Sequence, residues 1–214
     1  AGTHQIWRAD LAFDTVGPLI GSAREGTANG PFPTAELAQP SSVTLSEDRM
    51  LYCADSESSS IRVGNLDASE TDLVVGSDQD LFSFGDVDGT GNEALLQHPL
   101  GTAIAGSTLY VADTYNSKIK RVDLASTSVV SWLGDGAGWA VGADPLFNEP
   151  GGLSIDCDSL FVADTNNHAV RLVDISTGVN SSLVLKGIER FAPPSEFPGE
   201  IVTLPPTPVA SGAG

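Results

Sequence analysis

The sequence predicts an all-β protein, a β-propeller built of four-stranded blades. A strand-like phrase is written three times: LYCADSESSSIRVGNL from Leu51, LYVADTYNSKIKRVDL from Leu109 and LFVADTNNHAVRLVDI from Leu160. Counted from the shared Asp, the copies stand 113 − 55 = 58 and 164 − 113 = 51 residues apart. Self-similarity at such a period marks a repeat architecture, in which each unit buries its apolar surface against its neighbours. Each copy also divides into four short β-rich runs bounded by Gly, Asn, Asp and Ser, as antiparallel strands joined by tight turns do. Four-stranded sheets at a fixed period are propeller blades, whose radial arrangement protects strand edges.

The elements of a unit follow in a constant order. Pro and a small step (Gln39-Pro40, His98-Pro99-Leu100-Gly101, Glu149-Pro150-Gly151-Gly152) lead into a first apolar run. After a turn comes the alternating run Leu-Tyr-Val-Ala-Asp ending at Asp113, then the polar turn Tyr115-Asn116-Ser117 and a third run from Ile119 to Asp123. The fourth run ends in Gly76, Gly134 or Gly187. Between units, residues 21–40, 76–99 and 134–150 are rich in Gly and Asp, and each stretch closes with a helix-prone patch at 35–39, 92–97 or 144–148. Each patch is expected to make about one helical turn, because the residue before Pro is pushed out of the α region. No stretch has the length of a membrane-spanning helix.

The first segment sets the count. Residues 6–11 (IWRADL) align with residues 119–124 (IKRVDL), so residues 1–20 supply only the last two strands of a unit. Complete units follow at 40–76, 98–134 and 150–187, giving about three and a half blades where closed rings have about four to eight. The chain is therefore expected to be a partial ring, its remaining blades drawn from the same polypeptide or from another chain. Residues 1–188 form this propeller portion; residues 189–214, with FAPPSEFPG and LPPTP, read as a Pro-rich extended tail.

The phrases FNEPGGL and LFVADTNNHAVRLVD resemble the NHL repeat, a propeller-blade motif. AGTHQIW at residues 1–7, ADSESSSIR at 54–62 and FGDVDGTGNEALLQHPLG at 84–101 are more specific. They are similar to the NHL propellers of proteins that also carry a thioredoxin-like domain, a group with animal and chloroplast members. The resemblance implies an NHL-type propeller over roughly residues 1–188 and no catalytic residue, since the motif carries none. It implies the thylakoid lumen as compartment, with the cytoplasm as alternative, and contact with photosynthetic membrane complexes from their soluble side.

Composition narrows the partners. Ten basic against 28 acidic side chains give a net charge of −18, which argues against nucleic acid, whose binding rests on Lys and Arg at phosphates. An anionic membrane surface is disfavoured by the same sign. Protein partners remain. Cys53 and Cys157 are too few for a disulfide framework. Cys53 replaces Val111 and Val162 of the other copies and is expected to be a buried strand residue.

Several residues invite a chemical reading. The repeated Asp55, Asp113 and Asp164 occupy one position in every unit, which favours a structural task, tying down a turn or a neighbouring strand. Asp86-Val87-Asp88-Gly89-Thr90-Gly91 has the look of a calcium loop, but the twelfth residue counted from Asp86 is Gln97, not Glu, so a tight inter-blade turn is expected. Gly134-Asp135-Gly136-Ala137-Gly138 lacks the Lys and the long helix of a phosphate cradle. His4, His98 and His168 read as non-equivalent positions that supply no convergent metal set on the propeller axis. No cofactor and no catalysis are expected; the rivals are a metal-dependent propeller hydrolase or lyase and a redox accessory to a thioredoxin-like domain. The leading expectation is a docking scaffold. Its contacts would be loop aromatics, Phe32, Phe82 and Trp139, and the tail residues Phe191, Phe197, Ile201 and Leu204. For the loop aromatics Phe84 and Phe147, burial between blades is weighed equally with exposure.

Overall fold

The chain is described by a computed structural model over residues 2–183. Strands β1 (Ile6–Asp10) and β2 (Thr15–Ile20) form a two-stranded antiparallel sheet, the half blade that residues 1–20 require. The second blade contains β3 (Gly30–Pro31), β4 (Pro40–Leu45), β5 (Met50–Asp55), β6 (Ser60–Asn65) and β7 (Glu70–Val75), in spatial order β3-β7-β6-β5-β4. The third repeats it with β8 (Gly89–Thr90), β9 (Pro99–Ala105), β10 (Thr108–Asp113), β11 (Lys118–Asp123) and β12 (Ser128–Leu133), in order β8-β12-β11-β10-β9. The fourth runs β13 (Pro150–Asp156), β14 (Ser159–Asp164), β15 (Ala169–Asp174) and β16 (Asn180–Ser182), each paired with the next. All ladders are antiparallel.

The two-residue strands β3 and β8 are the connections themselves. Before entering its own blade, each connection crosses the outer edge of that blade and pairs with its fourth strand, Gly30 opposite Thr71 and Gly89 opposite Val129. In the fourth blade Gly142 makes the same pairing with Asn180. The exposed edge strand, an aggregation hazard in any open sheet, is thereby partly covered.

The core lies between blades rather than within one. A single sheet has two faces, and the second and third blades press theirs together through Ala54, Ile61, Val75, Leu109, Val111 and Val129. The third and fourth meet through Ala112, Ile119, Leu133, Leu160, Val162 and Val173. Each Val, Ile or Leu among them contributes about 1.5–3 kcal/mol on burial. The first strands of adjacent blades add polar contacts: Thr44 Oγ1 donates to Thr102 O at 2.9 Å, and Thr102 N–H donates to Ser42 Oγ at 3.1 Å.

One expectation is corrected here. The patches at 35–39, 92–97 and 144–148 do not form helical turns; apart from a short 3-10 turn at Gly91–Glu93, they are extended or bent. The reason is their spacing. Ala35 and Leu37, then Ala94 and Leu96, are buried two residues apart, and Leu95 and Leu146 make bridges to Val87 and Ala140. An alternation of two places side chains on opposite faces of an extended segment. Gln39, His98 and Glu149, directly before the opening prolines, have φ of 61°, 46° and 49°, so these residues leave the right-handed region for the left-handed one.

The glycine closing the fourth strand has no substitute. Gly21 and Gly76 have φ of 112° and 99°, and an added Cβ would lie 2.6 Å from His4 O and 2.8 Å from Ser59 O. Gly134 meets Ser117 O in the same way. His4, Ser59 and Ser117 are therefore one position in three successive blades. His168 is its fourth copy, with φ of 52° beside 49°, 50° and 55° for the others. This corrects the sequence reading: His4 and His168 are equivalent, and only His98 stands elsewhere.

Candidate interaction surface and the buried ion pairs that shape it

The repeated aspartate ends the second strand of each blade, and all three copies are fully buried. Its Oδ1 accepts a hydrogen bond from a backbone N–H two residues before the opening proline. For Asp55 the donor is Ala38 at 2.7 Å, for Asp113 Gln97 at 2.7 Å and for Asp164 Asn148 at 2.8 Å. Its Oδ2 accepts from the following turn, from Ser58 Oγ at 2.8 Å, Asn116 Nδ2 at 2.8 Å and Asn167 Nδ2 at 2.9 Å. One carboxylate thus clamps the arriving connection to the strand turn. Burial pushes the Asp55 and Asp113 carboxyls up to about 6, against the hydrogen bonds and nearby cations that pull them down. Asp164 moves the same way for the same reason.

Seven residues after each aspartate stands a buried cation, Arg62, Lys120 or Arg171 (62 − 55, 120 − 113 and 171 − 164 are all 7). Each lies across the ladder from Cys53, Val111 or Val162. Lys120 Nζ is 2.8 Å from Asp86 Oδ1, 3.2 Å from Asp88 Oδ1 and 3.6 Å from Asp113 Oδ2. Arg62 Nη2 donates to Thr27 O at 2.7 Å and Asn29 Oδ1 at 2.6 Å. Arg171 donates to Ala140 O, lies 3.7 Å from Asp164 Oδ2 and stacks over the Trp139 ring at 4.4 Å. Desolvating such ions costs several kcal/mol each; the carboxylates around Lys120 offset it there, whereas Arg62 Nε and Nη1 and Arg171 Nε have no hydrogen-bond partner among the described residues. Burial pulls the Lys120 ammonium down, but Asp86, Asp113 and Asp88 together raise it above its ordinary value.

Those contacts account for the calcium-like segment. Asp86 and Asp88 hold protein ammonium groups, with Lys118 Nζ 2.5 Å from Asp86 Oδ2, and Ser131 N–H donates to Asp88 Oδ2 at 2.8 Å. Burial pushes the Asp86 carboxyl up, but the two lysines outweigh it and hold it below the usual range. Among the described residues, no three His, Cys, Asp or Glu side chains converge as a metal set. His98 stacks on Tyr115 with ring centroids 4.4 Å apart, and its Nε2 is 3.4 Å from Glu57. Cys53 is buried and Cys157 exposed, and both are free thiols.

The loop aromatics divide. Phe82 is 83% exposed, presented by a turn in which its N–H donates to Asp80 Oδ1 at 2.7 Å. Phe84 and Trp139 are 48% and 42% exposed. Phe32 is not a surface contact: it is buried against Ile20 in the slot left by Gly64, where a Cβ would come within 3.2 Å of its ring. The pairing of Pro31 with Glu70 turns it inward. Phe147 is fully buried beneath the third and fourth blades' core. Phe191, Phe197, Ile201 and Leu204 lie outside the described residues. Sequence reading missed the buried cations altogether, although a basic residue at a fixed seven-residue offset was there to be seen.

No family model matches the chain. It is 40% identical over 206 residues to Protein SUPPRESSOR OF QUENCHING 1, chloroplastic, of Arabidopsis thaliana, covering 91% of this chain and 20% of that protein. It is 41% identical over 209 residues to NHL repeat-containing protein 2 of Homo sapiens, covering 86% and 29%. The chain thus spans between a fifth and three tenths of the length of these relatives. A structural genomics protein of Bacteroides thetaiotaomicron superposes with a TM-score of 0.64 at 18% identity, over 80% of this chain and 42% of that one. A chain of a nidogen/laminin complex superposes at 0.60 and 17%, over 88% and 61%. These two neighbours establish the fold. The chain belongs with the NHL-repeat β-propellers, as about three and a half blades homologous to the stretch it matches in SUPPRESSOR OF QUENCHING 1 and NHL repeat-containing protein 2.

Proposed function

We propose that the chain is a non-catalytic propeller module that docks proteins through the connections between its blades. One division of labour carries the reading. The buried charges of each complete blade are engaged in fastening a connection, while the connections hold out Phe82, Phe84 and Trp139. Aromatic side chains are the ones that most often anchor protein interfaces. The net charge of −18 suits a partner with a basic face.

A chloroplastic relative supports a plastid location, and we take the thylakoid lumen, where the module would meet photosynthetic membrane complexes from their soluble side. The animal relatives carry no plastid name and leave the cytoplasm as the rival. A closed ring would take its further blades from the same polypeptide or from a second chain. The intact mass of the native protein separates these: 22.1 kDa requires a second chain, and a much larger value removes the need for one.

The test is co-purification from the native source with Phe82 and Phe84 both replaced by Ser. The docking reading expects capture of a defined partner to fall at least tenfold, about 1.4 kcal/mol, with the melting temperature unchanged. Full capture by the double variant would remove these aromatics as anchors.

A further inference from the structure

A groove of about 650 Å³ opens between the second and third blades, at the turns that join the first two strands of each. Its walls are Leu45, Ile104 and Leu124, and its floor is Tyr52, which is 7% exposed. Leu45 is 56% exposed although it is the last residue of a strand, so this apolar wall has no cover among the described residues.

The polar chemistry of the groove is one-sided. Its charged lining residues are Glu47 and Asp48, both exposed, and no basic side chain lines it. The nearest cation in sequence, Arg49, is engaged with Asp67 at 2.7 Å. Asp48 is held in place from below, because Ser46 Oγ donates to its Oδ1 while also contacting Met50 O at 3.1 Å. The second carboxylate oxygen of Asp48 has no hydrogen-bond partner among the described residues. The Tyr52 hydroxyl has no hydrogen-bond partner among the described residues, although the rest of the side chain is buried; Asp48 is close enough to push its pKa up beyond the effect of burial. The ring is buried while the hydroxyl opens into the groove, where it is free to bond an occupant in place of water.

We infer that this groove docks an extended basic segment of a protein partner, with a Lys or Arg side chain between Glu47 and Asp48, flanking aliphatic side chains on Leu45, Ile104 and Leu124, and a backbone group on the Tyr52 hydroxyl. Two carboxylates with no internal cation set the sign of the occupant, and the apolar walls set its neighbours. An isolated charge pair at the rim contributes little, so the aliphatic contacts supply affinity and the acids supply selectivity. The inference rests on the docking reading and gives its partner a chemistry.

The experiment titrates the full chain with a short end-blocked peptide of alternating leucine and lysine, and with its counterpart carrying glutamate for lysine, to beyond about 1 mM. Methyl resonances of Leu45, Ile104 and Leu124 are followed by NMR. The lysine peptide is expected to shift them saturably and the glutamate peptide to leave them still. Glu47→Gln with Asp48→Asn, both surface changes, is expected to weaken binding about tenfold, and Tyr52→Phe to weaken it while keeping the ring in place. Equal binding of the two peptides, shifts mapped to another part of the chain, or no shift at all overturns the groove. Co-purification keeps the two readings apart: a partner lost with the Phe82 and Phe84 variant but retained by the Glu47 and Asp48 variant leaves docking standing and removes the groove. A partner indifferent to both removes both.

Discussion

Lys120 and Asp113, seven residues apart on adjacent strands, are both fully buried, with Nζ 3.6 Å from Oδ2. Asp113 holds its own blade's connection by the backbone of Gln97, and Lys120 holds it by Asp86 and Asp88, so the pair fixes one loop at two places.

Replacing Lys120 by Met leaves Asp88 and Asp113 without their cation and Asp86 with Lys118 alone. Breaking a buried pair from one side costs about 3–5 kcal/mol, and we expect a loss of that size in urea unfolding. Adding Asp113→Asn to that variant should recover part of it, because one of the stranded charges is removed. A loss below about 1 kcal/mol would mean the ammonium is not bearing on the fold.

The raised carboxyls of Asp55 and Asp113 set a pH dependence. Their folded pKa of about 6 exceeds the unfolded value, so the native state binds more protons between pH 4 and 6. Their contribution is then complete below about pH 4 and is lost as pH rises through 6, up to about 3 kcal/mol per group across the window. Asp86 and Asp88, held low, act in the opposite sense only at more acid pH. Calorimetry at pH 4.5 and 6.5 should show Asp113→Asn with a smaller change in melting temperature than the parent chain. An equal change would place the Asp113 pKa near its ordinary value.

Gly76→Ala combines a forbidden φ of 99° with a Cβ 2.8 Å from Ser59 O, and should cost about 2 kcal/mol or more. Gly136 has a similar φ of 91° but open space around it, so Gly136→Ala should cost only the backbone strain, about 1 kcal/mol. Equal losses would show that the close approach to the carbonyl contributes nothing.

Cys53 faces Arg62 where Val111 and Val162 face their own cations. Cys53→Val should therefore change stability by less than about 1.5 kcal/mol, whereas Phe147→Ala, which empties a fully buried site, should cost about 3–5 kcal/mol. Chemical denaturation of the two variants checks both.

The strands, the repeat and the half blade were legible because each rests on local pattern, an alternation of two punctuated by turn residues. Burial of charge was not legible in the same way. Arg62, Lys120 and Arg171 each point to a connection whose gripping residues lie far off in sequence, such as Asp88 for Lys120. The same long-range contact hid Phe32, which reads as a loop aromatic until β3 carries it across its blade into the slot at Gly64. The helix-prone patches failed by propensity: Ala, Glu and Leu favour a helix, but burying Ala35 and Leu37 side by side demanded extension. The equivalence of His4 and His168 was overlooked because the other two blades carry Ser there; the alignment of residues 6–11 with 119–124 already puts His4 at the place of Ser117, and the backbone geometry agrees.

Photo-crosslinking reads the docking claim at its source. A photoreactive phenylalanine analogue placed at position 82, in the protein expressed in its native cells, should capture one defined protein, and the same analogue at the buried position 147 should capture none. Adducts confined to the chain itself at position 82, or partner adducts of equal yield at both positions, would contradict a module that binds through its exposed connections.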